Sequence, residues 1–412
     1  METSSQPPQL HSTQITEDLD LEIIDLPDSS EDSNVRHTWL WRTILHVQRA
    51  ASPRSWRLIQ KSFTLVLALL AMFLLLSSVI HPFASSPVIT PEQHQLFASS
   101  NPIIYVRNPL AVYRGHMSPV QSVVWSPDGE FLAASGQDAT VQIWSRQTGK
   151  LLLVYRGHSK TVTGIAWSPD STRIASVSLD GTSQVWDAQS GKILFIYHNH
   201  NPVSAVYSVA WSPDSTRIVI GEGDGLTQVW NVITRKRLLS YDPDNSSAVL
   251  SVAWSPDGTR IASTSDATMV QVWDSATGHH LITYQNHDDI VSGVQWSPNN
   301  LYIASASFDS TVQVWNARTG KVLFIYEGHG GFVKSLAWSP NGALIASGGQ
   351  DGTIQVWSVF QGQSIITFLS QANSVAWSPD GSFIATGGID GLVKLWSIAR
   401  LPHIEHAVHE SL

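Results

Sequence analysis

Residues 120–144 read VQSVVWSPDGEFLAASGQDATVQIW, and this stretch contains the unit that repeats along the chain. Its alternating apolar and polar residues predict β-strands, and the turn signals Ser126-Pro127-Asp128-Gly129 and Asp138-Ala139 separate them. The phrase Trp-Ser-Pro occurs seven times in the chain, and a second tryptophan follows each time at an offset of nineteen residues. The seven pairs are Trp125/Trp144, Trp167/Trp186, Trp211/Trp230, Trp254/Trp273, Trp296/Trp315, Trp338/Trp357 and Trp377/Trp396.

Each repeat predicts four short antiparallel strands, because a Thr-Gly-Lys type turn and a fourth apolar run follow the second tryptophan. Four such strands form one blade of a β-propeller. We therefore predict an all-β fold, a seven-bladed propeller of four-stranded antiparallel blades over residues 109–397. The last repeat lacks its fourth strand, and the run from Leu110 to His116 matches the run from Leu152 to His158. We expect this early strand to complete blade seven and close the ring.

The repeats resemble the WD-repeat family, and we expect a bacterial-type, membrane-anchored member. A Gly-His pair precedes the first strand at Gly115-His116, Gly157-His158 and Gly328-His329, and an aspartate precedes the third strand in most repeats. The resemblance implies a buried hydrogen-bonded tetrad of His, Ser or Thr, Asp and Trp in each complete blade. Three blades carry all four residues: His158, Ser176, Asp180, Trp186; His287, Ser305, Asp309, Trp315; and His329, Ser347, Asp351, Trp357.

Several blades depart from the pattern of the family. Ala134 in blade one and Ile220 in blade three replace the serine, and blades four and seven lack the histidine. We expect blades four and seven to be the least rigid. A Ser, His and Asp set also occurs in hydrolases, but here it recurs in several blades together with an indole donor, so we expect a structural role.

The totals exclude several kinds of site. The chain has no cysteine, so disulfides and thiolate chemistry are absent. The formal net charge of −9 gives no basic surplus for nucleic acid. We predict no catalytic residue, no cofactor and no metal site, and we expect the C-terminal tail, 398–412 with His403, His406 and His409, to be exposed and not to hold a metal.

The resemblance implies that protein partners dock on the face that bears the Gly-His loops and the turn aspartates. The residues before those aspartates and in the loops after the histidines are the candidates: Gln137, Leu179, Phe308, Gln350, Ile389, Lys160, Asp288, Asp289 and Phe332. The apolar candidates either form an exposed contact cluster or pack against a neighbouring blade. We expect a protein-interaction scaffold or sensor ectodomain. The alternatives are a small-molecule-binding or enzymatic propeller that uses the central channel, and a structural component of an envelope assembly.

The chain before the propeller predicts a membrane anchor. Residues 63–83 begin with eighteen uncharged residues, FTLVLALLAMFLLLSSVI, which is enough for a helix to cross the bilayer. Residues 1–34 form an acidic tail expected to be disordered, and residues 84–108 form a stalk or linker. Residues 35–62 are basic and carry three tryptophans, so they lie either on the membrane surface or in a disordered juxtamembrane segment. The positive charges before the helix predict a single-pass protein of the cell membrane, with a cytoplasmic N-terminus and an extracytoplasmic propeller.

Overall fold

The computed structural model describes residues 103–199, 201, 204–242, 248–265 and 268–398. The chain divides into two units, Met1–Ala98 and Ser99–Leu412, and all of the described residues belong to the second. The predicted acidic tail, basic segment and membrane helix lie outside the described residues, as do most of the predicted stalk and the C-terminal tail after residue 398. Within the described part of the chain, no helix has the length and apolar character needed to span a bilayer.

The described residues form 29 β-strands. Two short strands precede the first repeat, β1 (Ile104–Val106) and β2 (Ala111–Tyr113). Repeats one to three then contribute β3 (Val120–Trp125), β4 (Phe131–Gly136), β5 (Val141–Ser145), β6 (Leu151–Tyr155), β7 (Val162–Trp167), β8 (Arg173–Ser178), β9 (Thr182–Asp187), β10 (Ile193–His198), β11 (Val206–Trp211), β12 (Arg217–Glu222), β13 (Thr227–Asn231) and β14 (Lys236–Tyr241).

Repeats four to seven contribute the remaining strands in the same order. These are β15 (Val249–Trp254), β16 (Arg260–Ser265), β17 (Val270–Asp274), β18 (His280–Tyr284), β19 (Val291–Trp296), β20 (Tyr302–Ser307), β21 (Val312–Asn316), β22 (Val322–Tyr326), β23 (Val333–Trp338), β24 (Leu344–Gly349), β25 (Ile354–Ser358), β26 (Ser364–Phe368), β27 (Ser374–Trp377), β28 (Phe383–Gly387) and β29 (Val393–Ser397).

The strands pair into seven sheets, and each sheet is one blade with its strands in chain order from the inside of the ring outwards. Blade seven is completed by β2, which pairs antiparallel with β29 through Ala111↔Leu395 and Tyr113↔Val393. The predicted seven-bladed, four-stranded antiparallel propeller and its closure by the early strand are therefore confirmed. One strand was not predicted. β1 lies within the segment assigned to the linker and adds a fifth, parallel strand to the outer edge of blade six.

Neighbouring blades are held together by aromatic stacking near the outside of the ring. The tyrosine that ends the outer strand of one blade stacks on the tryptophan of the third strand of the next blade. Ring centroids lie 4.2 Å apart for Tyr155 and Trp186 and 4.4 Å apart for Tyr284 and Trp315. Such pairs stabilise a fold beyond the burial of their area. The second tryptophan of each repeat thus joins two blades.

The first tryptophan of the repeat also links blades. The indole Nε1–H of Trp211 donates to the Ala166 carbonyl at 3.1 Å, across to the innermost strand of the preceding blade. The Arg173 guanidinium of that preceding blade lies 4.9 Å from the centre of the Trp211 ring. Arg217 over Trp254 and Arg260 over Trp296 repeat this cation–π contact. The first tryptophan therefore positions a blade against the one before it, although the Nε1–H groups of Trp167 and Trp254 have no acceptor among the described residues.

Candidate partner-binding face

The tetrad of blade two is a directed chain of hydrogen bonds. Trp186 Nε1–H donates to Ser176 Oγ at 3.1 Å, and Ser176 Oγ lies 2.9 Å from His158 Nε2. His158 Nδ1 lies 3.0 Å from a carboxylate oxygen of Asp180. A neutral histidine that carries its proton on Nδ1 satisfies every member of this chain, because it accepts at Nε2 and donates to the carboxylate. Each donor then has an acceptor inside the blade.

The tetrads of blades five and six have the same geometry. His287 lies 2.7 Å from Asp309 and 2.8 Å from Ser305, which accepts from Trp315 at 3.3 Å. The corresponding distances in blade six are those from His329 to Asp351, 2.9 Å, from His329 to Ser347, 2.8 Å, and from Trp357 to Ser347, 3.2 Å. The structure thus brings together the members of all three sets named from the sequence.

This arrangement holds the ring together and offers no route for a substrate to the serine. Ser176, Ser305 and Ser347 are fully buried, and each Oγ is already occupied by an indole N–H and a histidine nitrogen. Acyl transfer requires a nucleophile that is open to a substrate beside donors for the developing oxyanion. The hydrogen bonds therefore connect Ser, His and Asp as in a hydrolase triad, but the serine is not accessible to a substrate.

The tetrad aspartates of blades five and six are held in their charged form. Burial raises the pKa of Asp309, but the hydrogen bonds from His287 and Thr311 outweigh burial and bring the pKa to about 2. Burial likewise raises the pKa of Asp351, but His329 and the hydrogen bond from the backbone N–H of Gly330 lower it by more. The pKa of that carboxyl is therefore lowered. A carboxylate that accepts several hydrogen bonds favours its ionised form. These aspartates lock the loops of one end of the ring.

A glutamine and a tyrosine extend each complete tetrad, and neither was predicted from the sequence. Tyr155, from the outer strand of blade one, donates its hydroxyl hydrogen to Gln184 Oε1 of blade two, and Gln184 Nε2 donates to the Gly157 carbonyl at 3.1 Å. Blades five and six repeat the pattern with Tyr284 and Gln313 and with Tyr326 and Gln355. The signal was present in the sequence, since a glutamine stands two residues before the second tryptophan in most repeats.

The incomplete blades pair their polar groups in different ways. In blade one, His116 lies 2.9 Å from Asp138, and its Nε2 lies 3.2 Å from the Ala134 carbonyl oxygen where a serine hydroxyl would be. In blade seven, Trp396 donates to Thr386 at 3.0 Å. In blade four, the buried Nε1–H of Trp273 has no acceptor within the described part of the chain. The expected lower rigidity of blades four and seven stays a prediction.

Blade three has the largest departure. Ile220 occupies the serine position, so Trp230 donates to Gln228 Oε1 at 3.0 Å, two residues away on its own strand. Glu222 is completely buried, and among the described residues neither of its carboxylate oxygens has a hydrogen-bond partner. Burial and then the neighbouring Asp224 raise the pKa of Glu222 to about 8. Ile220 departs visibly from the repeat pattern of the sequence, whereas Glu222 was not predicted to be special.

The candidate contact residues share one end of the ring. They lie in the loops between blades and in the turns between the second and third strands, and antiparallel pairing places these at the same end. Backbone hydrogen bonds link them directly, from Phe308 N–H to the Ile290 carbonyl and from Gln350 N–H to the Phe332 carbonyl. We call this end the histidine-loop face. The exposed candidates on it are Gln137, Gln350, Ile389, Lys160, Asp288 and Phe332, and the half-buried ones are Leu179, Phe308 and Asp289.

Phe308 and Phe332 form a pair that spans two blades. Their rings stack with centroids 4.8 Å apart and an interplanar angle of 14°. Phe308 packs against the neighbouring blade, whereas Phe332 keeps 42% of its surface exposed and Ile389 keeps 51%. The two alternatives left open for the apolar candidates therefore both occur on this face, and the exposed part of the pair is an apolar contact surface.

The central channel is lined by the innermost strands. A cavity of about 180 Å³ lies between them; its polar lining side chains are those of serine, threonine, asparagine, glutamine and tyrosine residues, and Lys334 is its charged one. Lys334 Nζ donates to Asn373 Oδ1 at 3.1 Å. Serine hydroxyls also accept backbone N–H groups across the blades, as Ser374 does from Val123 at 3.0 Å. The described lining thus engages its polar groups in contacts between blades.

Comparisons with known proteins match the repeats. Residues 107–145, 149–187 and 191–231 match the family model of the WD domain, G-beta repeat. Residues 248–411 match the model of the first beta-propeller of IFT122. The bacterial type expected from the sequence stays a prediction.

Two curated proteins are similar over short stretches. A probable cytosolic iron-sulfur protein assembly protein Ciao1 of Culex quinquefasciatus is 50% identical over 36 residues, 9% of this chain and 11% of that protein. A serine-threonine kinase receptor-associated protein of Gallus gallus is 42% identical over 41 residues, 10% of this chain and 12% of that protein. The matches span about a tenth of the length of each relative. Together with the seven blades and their tetrads, the family matches support a WD-repeat β-propeller.

Proposed function

We propose that this protein is a membrane-tethered protein-interaction scaffold or sensor ectodomain, which binds protein partners on the histidine-loop face and catalyses no reaction itself. The observation that carries the proposal is that the ring buries its tetrads and exposes an aromatic surface at the same end. The tetrads engage the reactive side chains in buried hydrogen bonds, while the Phe308 and Phe332 pair leaves an aromatic surface open at the same end. Buried aromatic anchors dominate the binding energy of protein interfaces.

The names of the relatives support protein binding. One relative is named as receptor-associated and the other as an assembly protein, and both names describe association with other molecules. A rigid ring with loops on its faces suits such a role, since binding residues are commonly carried on loops that a rigid scaffold positions. The partners of this chain are proposed to be proteins of unknown identity.

The tether rests on the sequence before the propeller. Residues 63–83 supply the proposed helix, and contact with the lipid bilayer is proposed through this segment. Arg49, Arg54, Arg57 and Lys61 precede it, and the next basic residue is Arg107. Because lysine and arginine stay on the cytoplasmic side, the propeller is proposed to be extracytoplasmic, at the end of a linker that reaches β1.

Site-specific photo-crosslinking in intact membranes tests the binding face. A photoreactive phenylalanine analogue is placed at Phe332, and in a matched control at Phe360, which is 59% exposed in the turn at the opposite end of the same blade. The proposal expects discrete crosslinked proteins, identified by mass spectrometry, from position 332 and not from position 360. Crosslinks from position 360 alone, or from neither position, would contradict it.

A further inference from the structure

The charge around the aromatic pair points to the chemistry of the partner. Asp288 is exposed in the loop before β19, next to Asp289, and its backbone N–H donates to the carboxylate of Asp309 at 3.2 Å, beside Phe308. Glu327 is exposed in the loop that leads to Phe332. Among the described residues, none of Asp288, Asp289 and Glu327 takes part in an ion pair of 4.0 Å or less.

The histidine-loop end of the ring carries the basic residues Arg107, Arg114, Arg156, Lys160 and Lys394, but among the described residues none of them forms an ion pair with Asp288, Asp289 or Glu327. Between Lys160 and Lys394 the sequence has one lysine near the histidine-loop face, Lys334, and it points into the channel. The other basic residues between Lys160 and Lys394 lie in the turns at the opposite end or in the first two residues of the strand that follows such a turn. They are Arg173, Lys192, Arg217, Arg235, Lys236, Arg237, Arg260, Arg318 and Lys321. Complementary charge steers association and suppresses partners of like charge.

Resting on the proposed function, we infer that the partner presents a basic segment, with lysine or arginine side chains, to the sector of the histidine-loop face formed by Phe308, Phe332, Asp288, Asp289 and Glu327. The face of an aromatic ring attracts a cation within about 6 Å, and neighbouring carboxylates strengthen the attraction. An acidic peptide or an anionic lipid surface would meet uncompensated carboxylates here, so neither is the expected occupant.

The test uses defined peptides and the full chain in detergent micelles. The probes are two fluorescent twelve-residue peptides of equal apolar content, one with four arginines and one with four glutamates in the same positions. Fluorescence anisotropy gives the Kd of each, at low and at physiological salt. The inference expects the arginine probe to bind at least about tenfold more tightly than the glutamate probe, and expects this preference to shrink at higher salt because exposed charges are screened.

Charge reversal locates the site. Glu327→Lys is expected to weaken binding of the arginine probe by about tenfold. The control is Glu130→Lys, an exposed glutamate in a turn at the opposite end of the ring, and this variant should bind like the parent. Phe332→Ala and Phe360→Ala form a second matched pair with the same expectation. Melting curves of all four variants show whether the ring is intact.

Each outcome decides between the two claims. Equal binding of the two probes, or equal losses in Glu327→Lys and Glu130→Lys, would overturn the inference of a basic partner. If the photo-crosslinks from position 332 nevertheless appear, the binding face stands and only its charge preference is wrong. If position 332 gives no crosslinks, the proposed function is wrong whatever the peptides show.

Discussion

The protein is expected to lose stability as the pH rises, because Glu222 is buried. Replacing Glu222 by glutamine should remove this loss. The folded state holds the proton of this buried carboxyl up to a pKa of about 8, whereas the unfolded chain releases it near the ordinary value of 4.5. Because the folded-state pKa is raised, the unfolded state binds fewer protons between these values, and stability falls as the pH rises from about 4.5 to about 8. Glutamine has a similar shape and no charge, so Glu222→Gln should lack this fall.

The magnitude follows from the two proton affinities. Each tenfold difference in affinity for the proton corresponds to about 1.4 kcal/mol. Between pH 5 and pH 8, the parent should therefore lose on the order of 3 kcal/mol of unfolding free energy relative to Glu222→Gln. Such a loss is a large part of the stability of a typical domain.

Denaturant unfolding followed by tryptophan fluorescence at pH 5, 6.5 and 8 measures the effect. The seven repeats contain fourteen of the seventeen tryptophans, so the signal reports on the ring. Glu130→Gln serves as the control. Because this glutamate is exposed, its replacement should not alter how the unfolding free energy depends on pH. If the parent and Glu222→Gln lose stability in parallel over this range, the carboxyl is not buried without a partner as described.

Three further predictions concern closure, the tetrads and topology. A chain that starts at Gly115 should melt well below one that starts at Asn108, because it lacks β2 and leaves β29 as an open edge; equal melting temperatures would contradict the closure. Asp351→Ala leaves His329 without its acceptor and should cost about 1–3 kcal/mol by denaturant unfolding. Since the pKa of Asp351 is lowered, the cost should shrink as the pH falls below its ordinary value of 3.8, and a constant difference would refute the assignment. Protease added to intact cells should release a compact propeller fragment, and release only after permeabilisation would place the propeller in the cytoplasm.

The architecture could be predicted from the sequence because the same pattern of strands and turns is repeated seven times. The alternation of apolar residues, the Trp-Ser-Pro turn and the run from Leu110 to His116 were sufficient to give blades, their number and the closing strand. β1 could not be predicted in this way. Its three residues, Ile104 to Val106, have no counterpart in the repeat, and they pair with β26 only because the folded ring presents that edge.

The residues of the candidate face could be predicted from the sequence, but the contacts between them could not. Phe308 and Phe332 were both named from their positions, yet their stacking depends on how blade five is rotated against blade six, which no local pattern encodes. The role of the first tryptophan was missed for the same reason, since its acceptor lies in the preceding blade. Glu222 escaped notice because a single departure within seven repeats becomes informative only when its burial is known.

Binding of protein partners on the histidine-loop face is tested by comparing how well variants at the two ends of the ring recover those partners. The full chain is purified from membranes after reversible crosslinking, and the amount of each co-purified protein is compared for Phe308→Ala/Phe332→Ala and for Leu301→Ala/Phe360→Ala. The second variant removes two exposed apolar side chains of the same two blades at the opposite end. The first variant is expected to lose the bound proteins, and the second is expected to retain them. Retention by both variants, or equal loss from both, would contradict binding on the histidine-loop face.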